Sequence, residues 1–220
     1  VLDRGTHGWL EWVEPEAQSS KAGASAYFRS AGALVCLAHI LGGTDLHCEN
    51  VIATAHGPVL VDTEMLLQPS MKTASNADGM EEHRQQRTPL ESCLASGLVS
   101  AIVVDRSGKA RDLGGLRHAE ARELAVPVRE WRNLRRSDIG FEAKDHVHPS
   151  LGNDVRLDGH LCEPEQFVDD VCGGFESAYQ FLERNRGALL SERGPLRPLT
   201  NAVTRVLFRP SNQYATTQYV

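Results

Sequence analysis

Between Ser20 and Leu41 the apolar residues Tyr27, Phe28, Ala31, Leu34, Val35, Ala38 and Leu41 recur at intervals of three and four. That spacing places them on one face of a helix. Gly42-Gly43 follows at once, where a helix C-terminal cap needs residues that tolerate a left-handed backbone. A shorter alternation, Gly8-Trp9-Leu10-Glu11-Trp12-Val13, predicts a half-buried strand ended by Pro15. Val51-Ile-Ala and Val59-Leu-Val, with Gly57-Pro58 in the turn between them, predict a hairpin. Leu90 to Val104 is apolar enough to pack. Pro164 opens a second helix, with Phe167, Val168, Val171, Phe175, Ala178, Tyr179 and Leu182 on one stripe. Residues 70–92 are polar and aperiodic and predict a mobile loop. Gly108 to Pro149 gives no clean pattern, and the tail from Val203 alternates before turning at Pro210. Helices and local hairpins without a βαβ rhythm make the expected class α+β.

Composition narrows the picture only a little. A chain of 220 residues with 41% apolar and 24% charged residues can bury one substantial core. Its net charge of −6 argues against a general nucleic-acid binder, which needs clustered Lys and Arg for phosphates. Arg129 to Arg136 is the one local basic run; it reads either as a small anion-facing patch or as a solvated helix face. Cys36, Cys48, Cys93, Cys162 and Cys172 are odd in number and never form a C-x-x-C pair. Neither a disulfide framework nor a zinc knuckle is indicated, so a reducing cytoplasm is expected. No apolar run reaches membrane-spanning length, since Gly32 and His39 interrupt the longest. The opening Val-Leu-Asp-Arg-Gly lacks a Met and a signal pattern, and the chain is expected to be a fragment.

The chemistry is concentrated in twenty positions. Asp45, His47 and Asn50 stand in Gly43-Thr-Asp-Leu-His-Cys-Glu-Asn, directly after the capped helix; Asp62 and Glu64 stand in Val59-Leu-Val-Asp-Thr-Glu, directly after the hairpin. A phosphoryl-transfer site needs a carboxylate facing the attacking hydroxyl, and an amide and second carboxylate holding the magnesium that gathers the nucleotide phosphates. The interval from Asp45 to Asn50 equals that in the kinase pattern H-R-D-x-x-x-x-N. Asp45 therefore reads as the residue that accepts or orients the substrate proton, and Asn50 and Asp62 as oxygen donors to magnesium. His47 has either a direct chemical role or only a backbone hydrogen bond. Glu64 reads as a metal or supporting residue, or as a charge at the head of the next loop.

Taken together, these segments resemble the dehydratase domain of type 2 lanthipeptide synthetases, the LanM enzymes. The likeness runs through Leu2-Asp-Arg-Gly, Gly8-Trp9-x-Glu11, the two segments just described, Ser96-Gly97-Leu98 and Asp112-Leu-Gly-Gly-Leu116. It continues through Gly173-Gly-Phe175, Tyr179 and Arg205-Val-Leu-Phe-Arg-Pro-Ser211 with Tyr214. The central and last segments are the specific ones. The resemblance implies a kinase-like fold related to lipid kinases. That fold would use ATP and magnesium to phosphorylate Ser and Thr of a ribosomal precursor peptide, then eliminate phosphate to leave dehydroalanine or dehydrobutyrine. By motif, Asp45, His47 and Asn50 match the catalytic loop, Asp62 and Glu64 the metal-side D-x-E. Arg205 and Ser211 match an Arg and a Thr of the elimination step. Arg suits a leaving phosphate through its bidentate fork, and Arg209 is the rival for that task. Ser211 keeps the hydroxyl of the expected Thr and loses its methyl. The implied organisation is a catalytic core at 1–69, an activation-type loop with an irregular insert at 70–150, and a helical extension at 151–220 carrying the Arg/Ser segment.

The sequence departs from the family by omission. It has no Gly-rich loop followed by a nucleotide-binding Lys; Gly108-Lys109 lacks the rest of a phosphate loop. The nucleotide-binding lobe is accordingly expected upstream, and the zinc cyclase domain elsewhere in the parent protein. Two rival readings share the same residues. One is a small-molecule phosphotransferase of the aminoglycoside-kinase type, against which only the Arg205–Ser211 segment and the flanking similarities speak. The other is a non-catalytic remnant that binds a precursor peptide without turnover.

Overall fold

In the computed structural model the described residues are 2–67, 92–104, 110–117, 126–133, 135–146 and 152–204. Helix α1, Lys21–Ile40, begins and ends where its sequence directs. The Ser20 hydroxyl accepts the Gly23 amide at 3.0 Å, satisfying one of the first-turn donors that a helix leaves open. At the other end Gly42 takes a left-handed φ of 60°; its N–H donates to His39 O (3.2 Å), and that of Gly43 to Ala38 O (2.7 Å). This double closure is a Schellman cap, and it turns the chain sharply into residue 44. The apolar face of α1 is fully committed: Ala24, Tyr27, Phe28, Ala31, Val35 and Ala38 lie in the core.

A 3-10 turn at Pro164–Phe167 leads into helix α2, Val168–Leu189, which crosses α1 at very short range. Glycine makes that approach possible. A Cβ on Gly32 would run into the Val171 carbonyl, and one on Gly174 into the Arg29 carbonyl. Phe167 stacks on Phe28 with ring centroids 4.5 Å apart, and Val171 and Phe175 pack on the same core. The predicted stripe on α2 is therefore used only in its first turns. Val168, Tyr179 and Phe181 are exposed.

The expected hairpin is present: β3 (Val51–Thr54) pairs antiparallel with β4 (Gly57–Leu60), Val51 opposite Leu60 and Ala53 opposite Pro58. Its turn is Ala55-His56; Gly57 and Pro58 belong to the strand. Pro58 is tolerated because its partner Ala53 directs both backbone groups to the other side, donating to Gly152 O at 2.7 Å and accepting from Glu16 N at 2.9 Å. Alongside run two segments that the sequence left unassigned. One is the 3-10 turn Cys93–Ser96 with the chain to Ala101. The other leads from β6 (Ala110–Asp112), paired to β5 (Ile102–Val104), into residues 113–117. Leu98 and Leu116 of these segments complete the core. The class is mixed helix and strand, with five separate two-stranded pairings among the described residues.

Two sequence expectations are corrected. The opening strand is short and exposed: only Gly8–Trp9 (β2) pairs with Leu2–Asp3 (β1), and Leu10 and Trp12 are 71% and 83% exposed. Alternation alone cannot supply a surface to pack against. The Arg129–Arg136 run is not a helix face. Its first half lies in β7 (Val126–Arg132), paired over seven positions with β8 (Gly140–His146). The loop expected at 70–92 falls outside the described residues except for Ser92, and Arg205, Arg209 and Ser211 lie outside them altogether.

Candidate active site

The Schellman cap delivers the chain to Asp45 in an unusual conformation, φ 64°, the left-handed region that costs a non-glycine residue on the order of 1–2 kcal/mol. Such a backbone persists only where neighbours hold it. Here the Asn50 side chain does so: its Nδ2 donates to the Asp45 carbonyl at 2.8 Å. With its nitrogen so engaged, the amide oxygen of Asn50 is the atom available to a cation. The Asp45 carboxylate itself is half exposed, 51% of its side chain being accessible. Between these two residues Leu46 is completely buried and anchors the loop in the core.

The His47 side chain is more enclosed than those of Asp45 and Glu49, at 26% exposure. Its Nε2 lies 3.8 Å from Asp45 Oδ1, and its Nδ1 accepts the Glu49 amide at 3.3 Å with Glu49 Oε2 at 4.0 Å. The ring thus caps the 3-10 turn Cys48–Asn50 through one nitrogen and faces the candidate catalytic carboxylate with the other. Of the two readings of His47 from sequence, the backbone hydrogen bond is present. Cys48, next to it, is fully buried. Burial, helped by the Glu49 charge, pushes its thiol up to about 11, so it is an inert packing residue here.

The D-x-E segment is laced to the loop at both ends. Val61 N donates to Asn50 O at 3.1 Å, continuing the hairpin ladder, and Thr44 N donates to Met65 O at 3.1 Å. Leu67 N reaches back to Leu41 O at 2.8 Å. Residues 62–64 therefore lie alongside 45–49, with a tie on either side. Asp62 Oδ1 accepts the Glu64 amide at 3.1 Å, a local Asx turn that fixes the Asp62 rotamer. The five sequence-predicted residues Asp45, His47, Asn50, Asp62 and Glu64 stand on two segments whose backbones run side by side, one loop and one strand exit.

Behind those segments stand residues whose contacts sequence reading passed over. Leu46 N donates to Ser96 O and Cys48 N to Leu113 O, each at 2.9 Å, and His47 bridges Gly114. The two flanking segments are themselves joined, Gly115 N to Gly97 O at 3.0 Å and Leu116 N to Leu98 O at 2.9 Å. Gly115 must be glycine: a Cβ there would lie 2.8 Å from Val51 Cγ2 and closer still to Leu46 O. Buried Asn153 donates to Gly115 O (3.2 Å) and Arg117 O (2.7 Å), closing the far side. The signals in the sequence were the apolar stretch Leu90 to Val104 and the motifs Ser96-Gly97-Leu98 and Asp112-Leu-Gly-Gly-Leu116, none of which gave these contacts.

The oxygen set (the Asn50 amide, Asp62 and Glu64) fits a hard divalent cation such as magnesium, which keeps few protein ligands and takes the rest from phosphate and water. It does not amount to a cage. Among the described residues no group of three or more His, Cys, Asp or Glu side chains is placed to hold a metal. A cavity of about 480 Å³ opens elsewhere, between Val35 of α1, Cys93, Val99, Leu116 and Val171 and Phe175 of α2. It shares no residue with the acidic segments, and its walls are largely apolar.

A family described as a domain of unknown function, DUF4135, matches residues 1–219. The chain is also 29% identical over 221 residues to the lacticin 481/lactococcin biosynthesis protein LcnDR2 of Lactococcus lactis subsp. lactis. That alignment takes in 98% of this chain and 23% of the relative, so the chain spans about a quarter of that protein's length.

Proposed function

The chain belongs to the DUF4135 family, and from that membership we propose that it serves lanthipeptide maturation as the catalytic-loop portion of a LanM-type dehydratase. The likeness to a lacticin 481/lactococcin biosynthesis protein supports the biosynthetic role. The observation that carries the chemical reading is the lacing of the D-x-E strand along the Asp45 loop, by Val61 to Asn50 and Thr44 to Met65. That lacing brings the backbone of 62–64 beside that of 45–49, which supports reading Asp45 as the general base and Asn50, Asp62 and Glu64 as oxygen donors of a kinase-like site.

In this reading the substrate is a Ser or Thr hydroxyl of a precursor peptide. Asp45 orients that hydroxyl and takes its proton as the oxygen attacks the γ-phosphorus of ATP and the bond from that phosphorus to the β–γ bridging oxygen breaks, releasing ADP. Its left-handed backbone, braced by Asn50, keeps the carboxylate at a fixed height above the core. His47 stands beside that carboxylate, its Nε2 3.8 Å from Asp45 Oδ1. Asn50 and Asp62, with Glu64 beside them, would hold magnesium, which when bound neutralises the charge on the nucleotide phosphates. Dehydration then requires loss of the Cα proton to a base and cleavage of the Cβ–O bond, the electron pair leaving with phosphate. Arg205 is proposed to pair with the departing phosphate and Ser211 to support it; Arg209 is the alternative partner. The nucleotide-binding lobe and the cyclase are proposed to lie in other parts of the parent protein, and the cytoplasm is proposed as its location.

The test uses the full-length parent protein with ATP, magnesium and a Ser/Thr-rich precursor peptide, followed by mass. Loss of water is the expected result. A stable gain of phosphate would mean a kinase without elimination, modification of a small molecule alone would favour the phosphotransferase, and binding without any mass change would mean a remnant.

A further inference from the structure

Asp112 is half-buried, and both of its carboxylate oxygens are occupied. Oδ1 accepts the amides of Ala101 (2.8 Å) and Gly114 (3.0 Å); Oδ2 accepts the Ser100 hydroxyl (2.9 Å) and pairs with Arg117 Nε (2.9 Å). Arg117 then reaches Glu165, in the turn that starts α2, with Nη1 at 2.9 Å. The four donors come from the two segments that flank the Asp45 loop. Leu113, the next residue, accepts from Cys48, and Gly114 is the residue bridged to His47. Asp112 itself touches none of Asp45, His47 or Asn50 in any described hydrogen bond or ion pair. Its influence on them runs through the backbone it fixes.

We propose that Asp112 is a positioning residue for the reaction. Its carboxylate clamps the 100–101 and 114 backbone so that Leu113 O and Gly114 hold the Leu46–Cys48 segment in place, with Arg117 and Glu165 tying the clamp to α2. The catalytic part of this inference rests on the phosphoryl-transfer reading; the geometric part does not. Charge-assisted hydrogen bonds of this kind are about twice as strong as neutral ones, so removing the charge should loosen what they hold. Burial alone would raise the pKa of Asp112. The Ala101 amide, the Ser100 hydroxyl, the Gly114 amide and Arg117 outweigh it and hold the carboxyl below its ordinary value, which agrees with a group kept ionised for its partners.

Hydrogen exchange on the full-length parent protein, read by peptide, separates positioning from general stabilisation. Asp112→Asn keeps size and one acceptor but loses the charge; Ser100→Ala removes a single donor and leaves the fold intact. In Asp112→Asn, exchange in residues 44–50 is expected to accelerate about tenfold, the equivalent of a lost hydrogen bond, with α1 unchanged. Ser100→Ala should give a smaller acceleration in the same peptides, and it carries the test alone if the first variant does not fold. Peptide phosphorylation by Asp112→Asn should lose about tenfold in kcat while KM for ATP moves by less than about twofold. Uniform acceleration across α1 and the loop, or no change in 44–50, would overturn the assignment. Loosening confined to the loop in a parent protein that phosphorylates nothing would uphold the positioning role and sink the phosphoryl-transfer reading instead.

Discussion

The segment 43–64 and the two strips that brace it, 96–101 and 112–117, pack against one another, yet they inform the reader in opposite ways. The first was singled out for its side chains: Asp45, His47, Asn50, Asp62 and Glu64 carry the oxygens and nitrogens that the proposed chemistry needs. In the second, most of the work is done by main-chain atoms. Ser96 O, Leu113 O, Gly97 O and Leu98 O accept the bonds that fix the loop, and any residue supplies a carbonyl. A site's reactive half can be found by its letters, whereas its supporting half is visible only once the chain has folded.

The contrast can be broken most sharply at Asp45. Asp45→Asn in an active parent protein should cost two to three decades in kcat for phosphorylation, about 3–4 kcal/mol. The thermal midpoint should hardly move, because Asn also tolerates a left-handed backbone. An unchanged rate would remove Asp45 from the chemistry. Gly115→Ala attacks the bracing half instead. The new methyl has Leu46 O and Val51 Cγ2 to displace, and about 1–3 kcal/mol of stability should be lost by chemical denaturation. Arg205→Ala should let phosphopeptide accumulate, seen by mass, and normal dehydrated product would transfer the elimination role elsewhere.

Acid titration addresses Asp112. Its folded pKa is lowered from the ordinary 3.8, so its contribution is complete above that value and disappears as pH falls through the folded one. Acid unfolding of Asp112→Asn should therefore be flatter than that of the unaltered chain in this window, by fluorescence or circular dichroism. The smallest effect is expected at Tyr27. Its buried hydroxyl finds no partner among the described residues, and burial pushes its pKa upward. Tyr27→Phe should leave the thermal midpoint unchanged or raise it slightly, since an unmet polar group is removed.

How much could be read beforehand follows the same division. The helix Lys21–Ile40 and its double-glycine end were legible because burial, propensity and capping agree along one continuous stretch. The hairpin was legible in its strands; its turn was misplaced because Gly-Pro was taken as punctuation, whereas Thr54 closes the turn by donating from Oγ1 to Gly57 O at 2.8 Å. Spacing alone named Asp45, His47, Asn50, Asp62 and Glu64, and the fold brings their two segments side by side. Asn153 was not legible, since its partners Gly115 and Arg117 lie 38 and 36 residues away; Asp112-Leu-Gly-Gly-Leu116 was noted only as part of the resemblance, without the bracing contacts that its fold reveals. The first strand failed for the reverse reason. Its pattern was sound, but no element of the described fold covers Trp9, Leu10 or Trp12.

The placement of Pro58 has a bearing on how a peptide could be received. On one side of the hairpin, β3 is already engaged by Gly152 and Glu16 through both backbone groups of Ala53. On the other, the residue paired with Ala53 is an imino acid, which withholds the donor that an incoming extended segment would need. Neither margin invites β-augmentation at this level. An extended segment approaching Asp45 would have to be gripped by its side chains, or by surfaces beyond the hairpin.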